Sequence, residues 1–357
     1  MILFFEKFLK AWYLDFFMVY LFGLERSLGI KKISMIYRRF GRTDWQVSEI
    51  GYGMWGMGGW KESDDVQSAK SLDLAVENGV NFFDTAWGYG EGHSEKLLGQ
   101  LVRRHVNKKL YTASKIPPKN FKWPAKPEYK FEDSYPIGHI IEYTDKTLQN
   151  LGLEQIDLMQ LHTWDDVWTE REEWQRAIEE LKEAGKIASM GISMNRWEPE
   201  NGIEALKTGM LDAVQVIYNI FDQAPEDKLF PLCNEMDIAV IGRVPFDEGT
   251  LTGNITKETT FPEGDWRGTY FVPENLNSSV EKADALRPLI PEGMTMAEMA
   301  LRFITMNKAV STMIPGMRKE RNVLANTAIS DGKGISEALF EKLRGHRWDR
   351  VPTVWSQ

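Results

Sequence analysis

From residue 36 onward, short apolar runs rich in β-branched side chains alternate with longer stretches whose apolar positions recur every three or four residues. The short runs suit strands and the longer stretches suit amphipathic helices. Strands are predicted at 50–54, 80–84, 110–115, 156–161, 187–192, 213–216, 238–242 and 310–314. Helices are predicted at 64–78, 94–104, 138–151, 169–184, 199–207, 226–236 and 295–307. Gly79, Gly185 and Gly209 fit helix ends, and Thr295 with Glu298 fits a capping box at a helix start. Ahead of the first strand, apolar runs at 36–40 and 45–50 flank Gly41-Arg42-Thr43-Asp44, the signature of a small hairpin.

Eight strand-then-helix units without an internal linker predict a single (β/α)8 TIM barrel behind a short β-hairpin, occupying residues 35–357. An open doubly wound sheet is the rival, and Gly51-Tyr52-Gly53-Met54-Trp55-Gly56 does match G-x-G-x-x-G. No acidic residue stands at the expected ribose position beyond a second strand, so the match carries little weight. Segments 117–136 and 245–278 break the regularity and are long enough to be functional loops on the active face.

Residues 1–34 read differently, being rich in Phe, Leu and Tyr. Their nearly apolar core, 11–24, is interrupted by Asp15 and falls short of the roughly 20 residues that a membrane span needs. Three readings stay open: Met35 as the true start, an amphipathic surface helix, or a membrane anchor, with a membrane partner not expected. The net charge of −9 argues against nonspecific nucleic-acid binding. The single cysteine, Cys233, excludes an internal disulfide and a cysteine-rich metal site, and suits a reducing cytoplasm.

Against this frame four polar side chains stand out: Asp84, Tyr89, Lys115 and His162. Each lies at or just past the C-terminal end of a predicted strand, and in a parallel barrel those ends converge on one face. Each alone has a plainer use, as a loop cap, a turn aromatic, a solvated strand end or a satisfied core histidine. Together, in this order, they describe a catalytic cup. Such a cup can hold an acid together with the groups that set its strength. Tyrosine is a weak acid, with an ordinary pKa of ~10, and an ammonium beside it is expected to lower that value.

The chain resembles an aldo-keto reductase, most nearly the bacterial branch of inositol-operon and general-stress reductases. The resemblance rests on Gly41-Arg42-Thr43, Phe83-Asp84-Thr85-Ala86, Gly88-Tyr89-Gly90, Gly92-His93-Ser94-Glu95, Ser114-Lys115, Leu161-His162, Gly185-Lys186-Ile187, Gly191-Ile192-Ser193, Tyr218-Asn219 and Ile314-Pro315-Gly316. It implies NADP(H)-dependent reduction of an aldehyde or ketone, without a metal. Tyr89 would be the acid, Lys115 and Asp84 its partners, and His162 the group that orients the substrate oxygen. By the same resemblance, Tyr218 would stack on the nicotinamide, and Ser193 and Gln215 would hold its carboxamide. Asn195 would share that task, although Met194 separates it from Ser193 where the family commonly has Ser-Asn. Pro245, Gly249, Leu251 and Gly253 would line the pyrophosphate. Gly316 and Arg318 would open a helix that receives the 2′-phosphate, with Asn322 and Asn326 toward the adenine. Met317 and Asn322 depart from the family's usual Ser or Thr and Gln, which softens the preference for NADP.

Trp55, Trp60, Trp87, Trp123, Trp164 and Trp168 are expected to wall the mouth, which points to a small-molecule carbonyl or sugar-like substrate. Asp165, Asp166, Asp247 and Glu248 are candidates for binding its hydroxyls. Two other readings remain: an NAD-dependent sugar or cyclitol dehydrogenase, and a non-enzymatic cofactor-binding subunit.

Overall fold

The computed structural model describes residues 35–59 and 63–356. The three readings of residues 1–34, and Trp60, lie outside the described residues.

Strands β1 (Tyr37–Arg39) and β2 (Gln46–Ser48) form the expected antiparallel hairpin, with Tyr37 opposite Ser48. Its turn presses on the barrel floor. Gly41 takes φ +50, and a Cβ there would sit 2.6 Å from the Ala239 nitrogen, so only glycine fits. Beside it, Arg42 donates to the Asp212 carboxylate and to the carbonyls of Gly209 and Leu211.

The eight remaining strands are β3 (Tyr52–Gly53), β4 (Phe82–Asp84), β5 (Tyr111–Ile116), β6 (Ile156–Leu161), β7 (Ile187–Ser193), β8 (Ala213–Ile217), β9 (Ala239–Arg243) and β10 (Val310–Met313). They pair in parallel in sequence order. Parallel bridges Ile50–Met313 and Gly53–Gly316 bring the last strand back to the first and close the barrel. The first two glycines of the G-x-G-x-x-G match, Gly51 and Gly53, serve this closure, their amides donating to the Met313 and Pro315 carbonyls. A Cβ on Gly53 would lie 2.5 Å from the Ile314 carbonyl oxygen, which leaves no room for a side chain.

Alternate residues along a strand face opposite sides, and here the two sides are chemically distinct. Phe82, Ala113, Leu158, Ala213, Ala239, Ile241 and Ile314 point to the axis and pack with Phe40 and Val47 of the hairpin. Phe83, Met159, Val214, Val216 and Val240 face the helices. The inward series continues upward as Asp84 on β4, Lys115 on β5, Gln160 on β6, Gln215 on β8 and Arg243 on β9. The barrel is therefore apolar at its floor and polar at its C-terminal mouth.

Helices Asp65–Glu77, His93–Arg104, Ile137–Leu151, Glu172–Glu183 and Met296–Met306 lie close to the expected bounds. The Thr295 side chain accepts from the Glu298 amide, as its capping pattern requires. Ile203–Lys207 is shorter than the predicted 199–207, because Gly202 takes φ 149, outside helical space. The loop predicted to run to 278 ends earlier, since a helix spans Pro273–Leu286 with Pro273 in its first turn. The helix expected to open at Gly316–Lys319 begins instead at Glu320 and runs to Ala328. No helix among the described residues is long and apolar enough to cross a membrane.

Candidate active site

The four strand-end residues meet at the barrel mouth. Lys115 and Asp84 are almost wholly buried, and the ammonium donates to Asp84 Oδ2 at 2.5 Å and to the Thr85 carbonyl at 2.8 Å. It reaches the Tyr89 hydroxyl at 3.4 Å. The His162 ring lies edge-on to Tyr89, with centroids 5.8 Å apart. Tyr89 and His162 are both partly exposed, so the reactive end of the cluster opens to the mouth while its charged end is sealed.

Asp84 is fixed by neighbours that no motif announces. Its Oδ1 accepts from Gln215 Nε2 at 2.8 Å and from Gln160 Nε2 at 3.2 Å. Three donors thus converge on one buried carboxylate, which is how a buried charge is retained. Gln215, expected to hold a carboxamide, spends its amide nitrogen on Asp84 and on Gln160 Oε1. Gln160 follows the inward parity of Leu158, and that is the signal by which it can be found.

The electrostatics amend one expectation. Burial pushes the Tyr89 hydroxyl above its usual range, outweighing the lowering by Lys115 and Arg243. The Lys115 ammonium is too strongly engaged with Asp84 to reverse this. Burial would lower Lys115, but Asp84 and Tyr89 hold it above the ordinary lysine value. His162 is driven well below the usual histidine range by burial, then by Lys115 and Arg243, so its imidazole is neutral near pH 7. Tyr89 is accordingly a protonated phenol at neutral pH, beside a neutral imidazole.

Several expected cofactor residues lie elsewhere or are already engaged. Tyr218 follows the outward parity of Val214 and Val216. Its ring packs 5.0 Å from Phe230 and 6.0 Å from Phe303, and its hydroxyl donates to Glu226 at 2.5 Å. It belongs to the layer between barrel and helices, not to the mouth. Asn195 is saturated: its amide nitrogen donates to the Ala125 carbonyl and Glu198, and its oxygen accepts from Ala125 and Thr163. It has no capacity left for a ligand. Ser193 ends β7 in register with Gln215.

The loop after β9 is strained, with Val244, Asp247 and Glu248 all at positive φ (54, 46 and 56), which is uncommon outside functional segments. Pro245 has no N–H to donate. The amides of Gly249 and Leu251 bond the Phe246 carbonyl, and that of Gly253 bonds Thr250, so these donors turn back into their own loop. On the opposite side, Arg318 donates to the Gly56 carbonyl at 3.2 Å. Gly316 is exposed, and Asn322 and Asn326 share the helix that starts at Glu320.

The mouth wall is also revised. Trp164 and Trp168 are core residues, stacked edge-to-face with each other at 5.8 Å, and Trp164 packs on Trp174 at 5.3 Å. Trp123 stands at the mouth, 5.8 Å from the His162 ring, followed outward by Phe121. Trp87 is braced edge-on against Tyr143 at 4.8 Å, and Trp55 meets Trp266 at 5.8 Å. The acidic candidates are internal. Asp166 accepts from Gly202, Glu204 and Ala205 and so caps the helix Ile203–Lys207. Asp165 accepts from Val167 and Asn201. Glu248 pairs with Arg196 at 2.5 Å and Asp247 with Arg350 at 2.8 Å.

Arg243, like Gln160, is a residue of the mouth that no motif marks. Its guanidinium enters the mouth in phase with Ala239 and Ile241 and donates from Nη2 to the Met194 carbonyl at 3.0 Å. Buried polar atoms without a partner include His162 Nδ1, Arg243 Nε, Thr250 Oγ1 and Asn326 Nδ2. Those four lie along β6, β9, the loop after it and the helix after β10, the path on which the nicotinamide, phosphates and adenine of a dinucleotide were expected. Buried polar groups are rarely left unpaired in a native protein, so the residues present fit such a ligand.

The aldo/keto reductase family model matches residues 49–346. The NADH-specific methylglyoxal reductase of Escherichia coli (strain K12) is 28% identical over 303 residues, spanning 81% of this chain and 91% of that protein. Aldo-keto reductase AKR11C1 from Bacillus halodurans, in its holo form, shares the fold with a TM-score of 0.71 at 24% identity, over 91% of this chain and 100% of that one. Glycerol dehydrogenase AKR11B4 from Gluconobacter oxydans does so with a TM-score of 0.71 at 24% identity, over 88% of this chain and 95% of that one. With the family model spanning most of the barrel, the chain belongs to the aldo/keto reductase family.

Proposed function

We propose that this protein reduces an aldehyde or ketone to the alcohol with a reduced nicotinamide dinucleotide, Tyr89 delivering the proton. The observation that carries the reading is the convergence of Asp84, Lys115, Tyr89 and His162 at the mouth. When bound, the cofactor supplies the hydride. His162, neutral, donates an N–H to the substrate oxygen and fixes its position. Tyr89 gives its phenolic proton to that oxygen as negative charge develops there. Lys115, held by Asp84, stabilises the resulting phenolate, and Gln160 and Gln215 keep Asp84 in place.

The pH dependence follows from these protonation states. Reduction needs the phenol, which stays protonated below its raised pKa; it should be level across neutral pH and fall only above the ordinary tyrosine range of ~10. Alcohol oxidation needs the phenolate and should rise with pH. His162 stays neutral through the usual histidine range, so kcat profiles should show no break near pH ~6.5. Such a break, abolished by His162→Gln, would contradict the assignment.

NADP(H) is the proposed cofactor, through Arg318. Arg318 is half-buried and stands two residues ahead of the helix that begins at Glu320, and a guanidinium and a helix N-terminus both favour an anionic group. NADH is the second reading, favoured by Glu320 in the first turn of that helix and by the name of the Escherichia coli relative. Arg318→Ala is expected to weaken NADPH roughly tenfold or more, the scale of a charge-assisted contact, and NADH little. Fluorescence titration of both cofactors checks this, and equal weakening would favour NADH.

Because Asp165, Asp166, Asp247 and Glu248 are engaged internally, the wall formed by Trp87, Phe121 and Trp123 is left to select the substrate. We therefore propose a flat or compact apolar carbonyl in preference to a polyhydroxylated one. Kinetics with aromatic aldehydes, methylglyoxal and aldose sugars separates these, and turnover confined to sugars would reject the proposal.

A further inference from the structure

The cations around the mouth divide unevenly. Lys115 is matched by Asp84, Arg196 by Glu248, and Arg350 by Asp222 and Asp247. Arg243 has no carboxylate within ion-pair distance among the described residues; its side chain donates to the Met194 carbonyl, and its Nε has no partner. Strand parity carries its side chain into the barrel mouth rather than toward the helices. There it acts on Tyr89 and on His162, both of which feel its charge. The groups whose charge it shares are Tyr89 and His162 across the mouth, Arg196 from the segment after β7, and Glu248 and Asp222 from the loops after β9 and β8. Burial and the Arg196 charge lower its own pKa to about 10, which still leaves it charged near neutrality.

We infer that Arg243 is a fixed positive charge that makes the site discriminate between the two redox states of its nicotinamide, binding the reduced form more tightly than the oxidised one. This rests on the proposed cofactor chemistry. The oxidised nicotinamide ring carries a positive charge and the reduced ring is neutral. Their phosphates and adenine are the same, so a cation at the reaction centre acts on the difference alone. Both rings must come within a few ångströms of the carbon whose oxygen Tyr89 and His162 hold. Two unit charges about 10 Å apart at an effective dielectric of about 20 repel enough to change binding by roughly tenfold. Lys115 contributes less to this selection, because Asp84 cancels its charge at 2.5 Å.

The consequence is directional. Tighter binding of the reduced form weakens it as a donor on the protein and speeds departure of the oxidised form, so Arg243 trades driving force for release. Arg243 is thus a positioning charge rather than a proton donor. Its effect should follow charge, not shape.

The test is equilibrium binding of reduced and oxidised cofactor, by calorimetry or tryptophan fluorescence, to the wild-type chain, Arg243→Lys and Arg243→Gln. The wild-type chain is expected to prefer the reduced form. Arg243→Gln should shrink that preference about tenfold, mainly by tightening the oxidised form, and Arg243→Lys should largely retain it. Equal binding of the two forms by the wild-type chain, or an unchanged ratio in Arg243→Gln, overturns the inference. Failure of the wild-type chain to bind either form would instead overturn the proposed function.

Discussion

Tyr89→Phe is expected to lower carbonyl turnover by roughly 10³-fold, within the range ascribed to general acid catalysis, while cofactor binding and folding stay intact. The change deletes one hydroxyl. That oxygen lies 3.4 Å from Lys115 and makes no bond on which the fold depends. The ring stays, still packed edge-on to His162 at 5.8 Å. The loss should therefore fall on kcat, with KM little changed, since the proton transfer acts in the transition state and not in binding. Steady-state kinetics with a titration of cofactor affinity on the same preparation separates the two. A variant retaining wild-type kcat would remove Tyr89 from the chemistry.

Lys115→Met is expected to damage both stability and activity, because it leaves Asp84 charged, buried and without its cation. Both side chains are almost fully enclosed, at 1% and 2% exposure. Removing one member of such a pair typically costs about 3–5 kcal/mol. Gln160 and Gln215 still donate to Asp84, which limits the damage without neutralising the charge. The double change Asp84→Asn with Lys115→Met should recover much of the stability and none of the activity. Urea unfolding of the two variants checks this, and a single variant as stable as the wild type would show that the pair is not holding the mouth together.

The barrel was legible because its eight strands repeat with short spacing and its hairpin carries an unambiguous turn. The convergence of Asp84, Tyr89, Lys115 and His162 was legible for a related reason: they sit at or just past strand ends, which chain order brings to one face. What motif-matching obscured was direction. Tyr218 lies at a strand end with the right chemistry, yet it is one residue out of phase with Gln215 and faces Phe230 and Phe303. Arg243 shows the reverse, having no motif yet standing in phase with Ala239 and Ile241. A period of two, counted from Phe82, Leu158 and Ala239, sorts both correctly. Other features depend on distant partners that no local pattern encodes. Asp166 caps a helix nearly 40 positions away, and Asn195 is consumed by Ala125 and Thr163. Trp164 and Trp168 read as mouth aromatics because they follow a strand, but the chain after β6 folds inward onto Trp174. The Tyr89 acidity is not legible in the chain, because it is set by burial, which sequence does not report and which here outweighs the nearby ammonium.

The most direct test of the account is the transfer of deuterium from a cofactor labelled at its hydride-donating carbon. The wild-type chain should place one deuterium on the former carbonyl carbon of an aromatic aldehyde or methylglyoxal, and Tyr89→Phe, equally saturated with cofactor, should yield almost none in the same time. Cofactor binding without labelled alcohol across the carbonyl panel, or equal labelling by Tyr89→Phe, would contradict it.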